Sequence, residues 1–128
     1  MSYTFDIRGE CLVVRIMGEI DHHTTGEIRN QIDSVILKGG IKKVIFDFNK
    51  VNFMDSSGIG LIMGRYKLMR AIDGKVIVFG AGENIKRLFD MSGINKIIRY
   101  FNSEEEAFFT KEEALKDDQQ SYQDTVFE

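Results

Sequence analysis

The 128-residue chain is 43% hydrophobic and 29% charged with a formal net charge of -3, which suits one globular domain with enough apolar material for a core. No apolar run approaches the roughly 20 residues that cross a bilayer, and residues 1–10 lack a basic stretch followed by an apolar leader. No basic stripe is present either, so membrane insertion, secretion and direct DNA or RNA binding are set aside and a cytoplasmic protein is expected.

The charge is uneven. Residues 111–128 hold six acids against two bases, whereas residues 1–110 hold fourteen acids against fifteen bases. A near-neutral domain over 1–115 is expected to carry an acidic tail over 116–128.

Residues 3–8 read as a short strand, with Gly9-Glu10 as a tight connection. Residues 11–17 read as a second strand, because they are apolar and β-branched apart from Arg15. Cys11, the one cysteine, falls in this run and is expected to be a buried structural thiol. Ile28, Ile32, Val35 and Ile36 follow one helix face, with Thr24 and Glu27 at capping-box spacing before them and Gly39-Gly40 as a stop. Residues 42–48 and 75–79 are continuous apolar runs of the kind covered on both faces of a parallel or mixed sheet, and 97–101 is a weaker run of the same type.

A second helix is expected over 57–72, ending at Asp73-Gly74, with Ile59, Ile62, Met63, Tyr66 and Met69 packing on the sheet. A third covers about 84–91, with Ile85, Leu88 and Phe89 inward and Gly93 at its end. Gly80-Ala81-Gly82 reads as the turn that starts it. Ser103 and Glu106 make another capping box, opening a helix that carries Ala107, Phe108 and Leu115. Strands alternating with helices predict an α/β domain with a mixed sheet of four to five strands and about four helices. Beyond residue 116 the chain is polar and aperiodic, so disorder is expected, with a short docking peptide ending in Val126-Phe127 as the alternative.

The informative stretch is Phe53-Met54-Asp55-Ser56-Ser57-Gly58-Ile59-Gly60-Leu61, which follows a strand and opens a helix. Capping explains part of it, since Asp and Ser side-chain oxygens accept from free N–H groups at a helix start. One cap needs one residue, however, and glycines cost a helix up to about 1 kcal/mol each relative to alanine. Ser56, Gly60 and Gly64 are spaced by four and line one ridge. Close approach of another protein's backbone and a tight internal contact explain such a ridge about equally well. A serine here also suits a phosphorylation switch, because a helix N-terminus supplies donors for a dianion.

Asp21-His22-His23 invites a metal site, but adjacent histidines diverge on an extended chain and these are the only two in the sequence, so none is expected. A Ser-His-Asp hydrolase would draw on Ser56, His22 or His23 and Asp55 or Asp21, but the Gly-x-Ser-x-Gly elbow is missing. No phosphate-binding Gly-x-x-x-x-Gly-Lys-Ser/Thr loop occurs. No catalytic residue and no cofactor is expected.

The chain resembles the STAS-domain anti-sigma factor antagonists, above all the sporulation antagonists of the sigma-F system. The resemblance rests on Gly18-Glu19-Ile20-Asp21-His22-His23-Thr24, on Phe53-Met54-Asp55-Ser56-Ser57-Gly58-Ile59-Gly60, on Gly64-Arg65-Tyr66-Lys67, on Lys86-Arg87-Leu88-Phe89-Asp90-Met91-Ser92-Gly93 and on Lys96-Ile97-Ile98-Arg99. It spans about residues 3–115 and leaves out the acidic tail. It implies a STAS-like fold and a binding protein rather than an enzyme, acting as a monomer. The unphosphorylated form would bind an anti-sigma factor that is also a serine kinase, and so release a sporulation sigma factor. Phosphorylation of Ser56 would end that binding, and a membrane-associated phosphatase would restore it. Ser57 is the helix-positioning neighbour in this pattern. Asp21, Asp55, Ser56, Ser57, Gly58, Gly60 and Gly64 are the candidate partner-binding residues. A stress-response antagonist is the alternative within the same class.

Overall fold

The computed structural model describes residues 1–109. In chain order these form β1 (Ser2–Arg8), β2 (Cys11–Ile20), α1 (Thr25–Leu37), β3 (Lys43–Met54), α2 (Ser56–Ala71), β4 (Lys75–Phe79), α3 (Glu83–Ser92), a single 3-10 turn (Ile94–Lys96), β5 (Arg99–Phe101) and α4 (Glu104–Phe108). The expected Leu115 and the tail over 116–128 lie outside the described residues.

The strands lie in the order β1-β2-β3-β4-β5, with β1 antiparallel to β2 and every later neighbour parallel. This is the mixed α/β sheet that the alternating pattern predicts. Each parallel crossover steps one strand in the same direction, so the right-handed rule places α1, α2 and α3 on one face. Strand alternation then divides the core. Leu12, Val14, Ile16, Val44, Phe46, Phe48 and Val78 face those helices, meeting Ile28, Ile32, Ile62, Met69, Ile85 and Phe89. Val13, Ile45, Ile77 and Phe79 face the other way and meet Ala107 of α4.

A charged cluster fastens α4 to that second face. The Arg15 guanidinium donates to Asp47 at 2.8 Å and to both carboxylate oxygens of Glu104 at 3.0 Å. Hydrogen bonds from Arg15 hold the Glu104 carboxyl below its usual value, and the Glu104 carboxylate in turn raises that of Arg15. Ser103 caps α4 by accepting from the Glu106 N–H at 3.2 Å, as its spacing predicts.

Several expectations need correction. β2 and β3 continue beyond their apolar runs to Ile20 and Met54, because strand pairing carries the polar ends along. β5 is only Arg99–Phe101, since the N–H groups of Ile97 and Ile98 both donate to the Ile94 carbonyl at 2.9 Å, curling the chain after the 3-10 turn. Cys11 is partly buried rather than buried, at the rim of the smaller cluster. Thr24 precedes α1 but makes no capping box: its backbone is already helical, and its hydroxyl donates to the Asp21 carbonyl and accepts from the Asp21 N–H. Glu27 instead accepts from the Tyr3 hydroxyl at 2.9 Å.

Candidate functional site

Parallel strands end at a common edge, and β2 and β3 deliver Asp21 and Asp55 there together. Ile20 pairs with Met54, and the Asp55 N–H donates to the Ile20 carbonyl at 3.1 Å. Both carboxylates then organise the turn that follows their own strand. Asp21 Oδ1 accepts from the His23 N–H at 2.9 Å and the Thr24 N–H at 3.2 Å, which replaces the capping role expected of Thr24. Asp55 is the N-cap of α2, with Oδ1 accepting from both the Ser57 N–H at 2.9 Å and the Ser57 hydroxyl.

These bonds distinguish the two serines. The Ser57 side chain is partly buried and committed to Asp55. Ser56 is exposed at the first position of α2, and no hydrogen bond holds its hydroxyl among the described residues. The Ser57 hydroxyl and then its N–H lower the Asp55 carboxyl from its usual value, with His22 adding a smaller effect across 4.0 Å. Asp55 is therefore a carboxylate at neutral pH, directly beside the free Ser56 hydroxyl.

The glycines divide as well. A Cβ built on Gly60 or Gly64 meets nothing within 4 Å, so the ridge with Ser56 opens to solvent. Gly58 is buried, and its Cβ would lie 2.3 Å from Cγ and Sδ of Met54. Gly58 is thus a packing residue and not part of the exposed ridge. The inward set of α2 also differs from the expected one. Leu61, Ile62, Arg65 and Met69 are buried, while Ile59, Met63 and Tyr66 are only partly covered.

The sequence reading missed the burial of Arg65. Its side chain is 8% exposed, with Nε 2.8 Å from Asp33 Oδ1 on α1. Burial lowers its pKa and the Asp33 carboxylate opposes that shift. The pair links α2 to α1. A signal existed: Asp33 follows Ile32 by one position, at the border of the apolar face of α1, where a charge needs a partner.

His22 and His23 do not diverge as an extended chain would make them. They lie in a turn, exposed, with ring centroids 3.9 Å apart. Among the described residues no three His, Cys, Asp or Glu side chains are grouped to hold a metal ion. No helix there is long and apolar enough to cross a membrane.

The chain is similar to known proteins over nearly the whole of this architecture. The STAS domain pattern matches residues 2–107. An anti-sigma F factor antagonist of Paenibacillus polymyxa is 40% identical over 93 residues, which cover 73% of this chain and 80% of that protein. An anti-sigma-B factor antagonist of Listeria monocytogenes is 33% identical over 91 residues, covering 71% and 79%. The solved structure of the anti-sigma factor antagonist SpoIIAA in its unphosphorylated form superposes with a TM-score of 0.76 at 32% identity, covering 84% of this chain and 93% of that one. The phosphorylated form of the Bacillus SpoIIAA gives 0.69 at the same identity, covering 84% and 96%. The chain belongs to the STAS-domain anti-sigma factor antagonists.

Proposed function

We propose that this antagonist is a partner switch controlled at Ser56. Without phosphate it binds an anti-sigma factor that is also a serine kinase, and a sporulation sigma factor is released. The kinase transfers phosphate to Ser56, the complex separates, and a phosphatase resets the cycle. The observation that carries this reading is the split between the serines: the Ser56 hydroxyl is exposed and unheld, while that of Ser57 is bound to Asp55. The existence of SpoIIAA in unphosphorylated and phosphorylated forms supports it.

The chemistry of the edge favours binding over turnover. A Ser-His-Asp hydrolase needs its histidine on the serine, but His22 faces Asp55, and that carboxylate is already occupied by Ser57. A phosphate on Ser56 adds about two negative charges next to the Asp55 carboxylate and the open glycine ridge. A partner seated there would meet bulk and charge together, while the helix N-terminus accommodates the group without unfolding.

The higher identity to an anti-sigma F antagonist than to an anti-sigma-B antagonist favours the sporulation branch. Intact-mass and site-mapping mass spectrometry after incubation with the kinase and ATP tests the switch. One phosphate on Ser56, absent from Ser56→Ala, is expected; modification elsewhere, or none, overturns it. Equal binding to purified anti-sigma F and anti-sigma-B factors would remove the sporulation assignment.

A further inference from the structure

The last turn of β3 contains a register slip that aims an aromatic ring into solvent. Gly18 of β2 pairs with Val51 of β3, but the next residue, Glu19, pairs with Phe53, leaving Asn52 as an extra residue. In an unbroken strand, residues two apart share a face, so Phe53 would join Val51 in the core and Met54 would point outward. The bulge reverses this. Met54 is 7% exposed and sits under Gly58, while Phe53, two residues before Asp55, is 46% exposed. Bulges of this kind re-aim side chains beside functional sites. Placing Met54 inward does not require an aromatic at 53, where a polar side chain would suit the exposure.

The location of Phe53 separates it from most of the other exposed apolar side chains; Met1, 39% exposed and beside Gly18, shares its end of the sheet. Ile7, Leu37, Ile72 and Met91 lie at or near the ends of β1, α1, α2 and α3, at the opposite end of the sheet from Ser56. Three residues of chain span at most about 11 Å. A typical interface covers roughly 800 Å² on each partner, a disc of about 16 Å radius. A typical interface centred on the Ser56 hydroxyl is therefore wide enough to reach Phe53.

We infer that Phe53 is the apolar anchor by which the anti-sigma kinase docks on this antagonist, inserting into a pocket of the kinase rimmed by basic side chains. The rim follows from the neighbours of the ring, since Glu19 is its strand partner and Asp21 and Asp55 flank the same edge. The inference rests on the antagonist reading above and extends the docking surface from the ridge of α2 around to the end of β3. Aromatic side chains, Phe included, are enriched in protein interfaces, and a few buried anchors carry most of the binding energy.

The test is titration calorimetry of the full chain against purified anti-sigma F factor with a non-hydrolysable ATP analogue, so that binding is measured without phosphorylation. Phe53→Ala is expected to weaken binding by about 30-fold or more, with Phe53→Leu in between. Met91→Ala, an exposed apolar change at the far end, should leave affinity unchanged, and all three variants should melt with the wild type. Wild-type binding that Phe53→Ala retains within about threefold overturns the role of Phe53 alone. No binding by the wild type overturns the antagonist reading and this inference together.

Discussion

α2 and α3 pack on the same face of one sheet, yet they follow different rules. α3 buries Ile85 and Phe89 and half-covers Leu88, has no internal glycine, and stops at Gly93, whose φ of 79° suits a residue without a side chain. α2 begins with three glycines in nine residues, buries the charged Arg65, and leaves Gly60 and Gly64 facing open space. The buried set and the stop of α3 are explained by contacts inside the domain. In α2, Gly58 and Arg65 have internal partners in Met54 and Asp33, whereas Gly60 and Gly64 have none. Each open glycine costs up to about 1 kcal/mol of helix stability. Those costs fall on the ridge beside Ser56 that the proposed partner contact would use.

Substitutions at six positions probe this contrast. The largest loss is expected from the conventional helix: Phe89→Ala removes a ring packed near Phe48 and Tyr100 and should cost about 3 to 5 kcal/mol in urea denaturation. It should leave the affinity of the folded protein for its partner unchanged. Asp33→Ala strands the buried Arg65 charge and should cost about 3 kcal/mol, whereas the double change Asp33→Leu with Arg65→Met should restore most of it. A loss below about 1 kcal/mol for the single variant would mean that the pair does not lock the two helices.

Within α2 the glycines should respond in opposite directions. Gly58→Val forces Met54 aside and is expected to destabilise by about 1 to 3 kcal/mol. Gly60→Ala meets no atom and should stabilise by about 0.5 to 1 kcal/mol while weakening partner binding. Equal effects of the two changes on stability would erase the distinction drawn here.

The smallest effect concerns pH. The Asp55 carboxyl is held below its unfolded value, chiefly by the Ser57 hydroxyl and N–H. Its contribution is therefore present above the ordinary carboxylate range, about pH 4, and is lost as pH falls through the lowered folded value. Thermal melts from pH 7 to pH 2 should show wild type losing stability more steeply below about pH 4 than Asp55→Asn, and parallel curves would rule out this linkage.

Features set by neighbours in the chain were legible beforehand. The alternation of apolar runs with helical spacing predicts the α/β class, and Gly39-Gly40, Asp73-Gly74 and Gly93 end their helices where expected. The Ser103 cap forms, because a cap is completed within four residues. The Thr24 capping box fails although its spacing is right, because Asp21 engages the same hydroxyl first. The full lengths of β2 and β3 were not legible, since strand ends are decided by the strand alongside.

Several motifs in order, Asp55-Ser56-Ser57-Gly58-Ile59-Gly60 among them, pointed to the family by sequence alone, and the pattern placed the serine pair at a helix start. Which serine is free, which glycine is packed and which is open, and which way Phe53 points were decided only in the folded chain. Two serines, or three glycines, are the same residue to any local rule. Asp55, Met54, and the slipped pairing of Glu19 with Phe53 give them different surroundings, and those surroundings assign each its role.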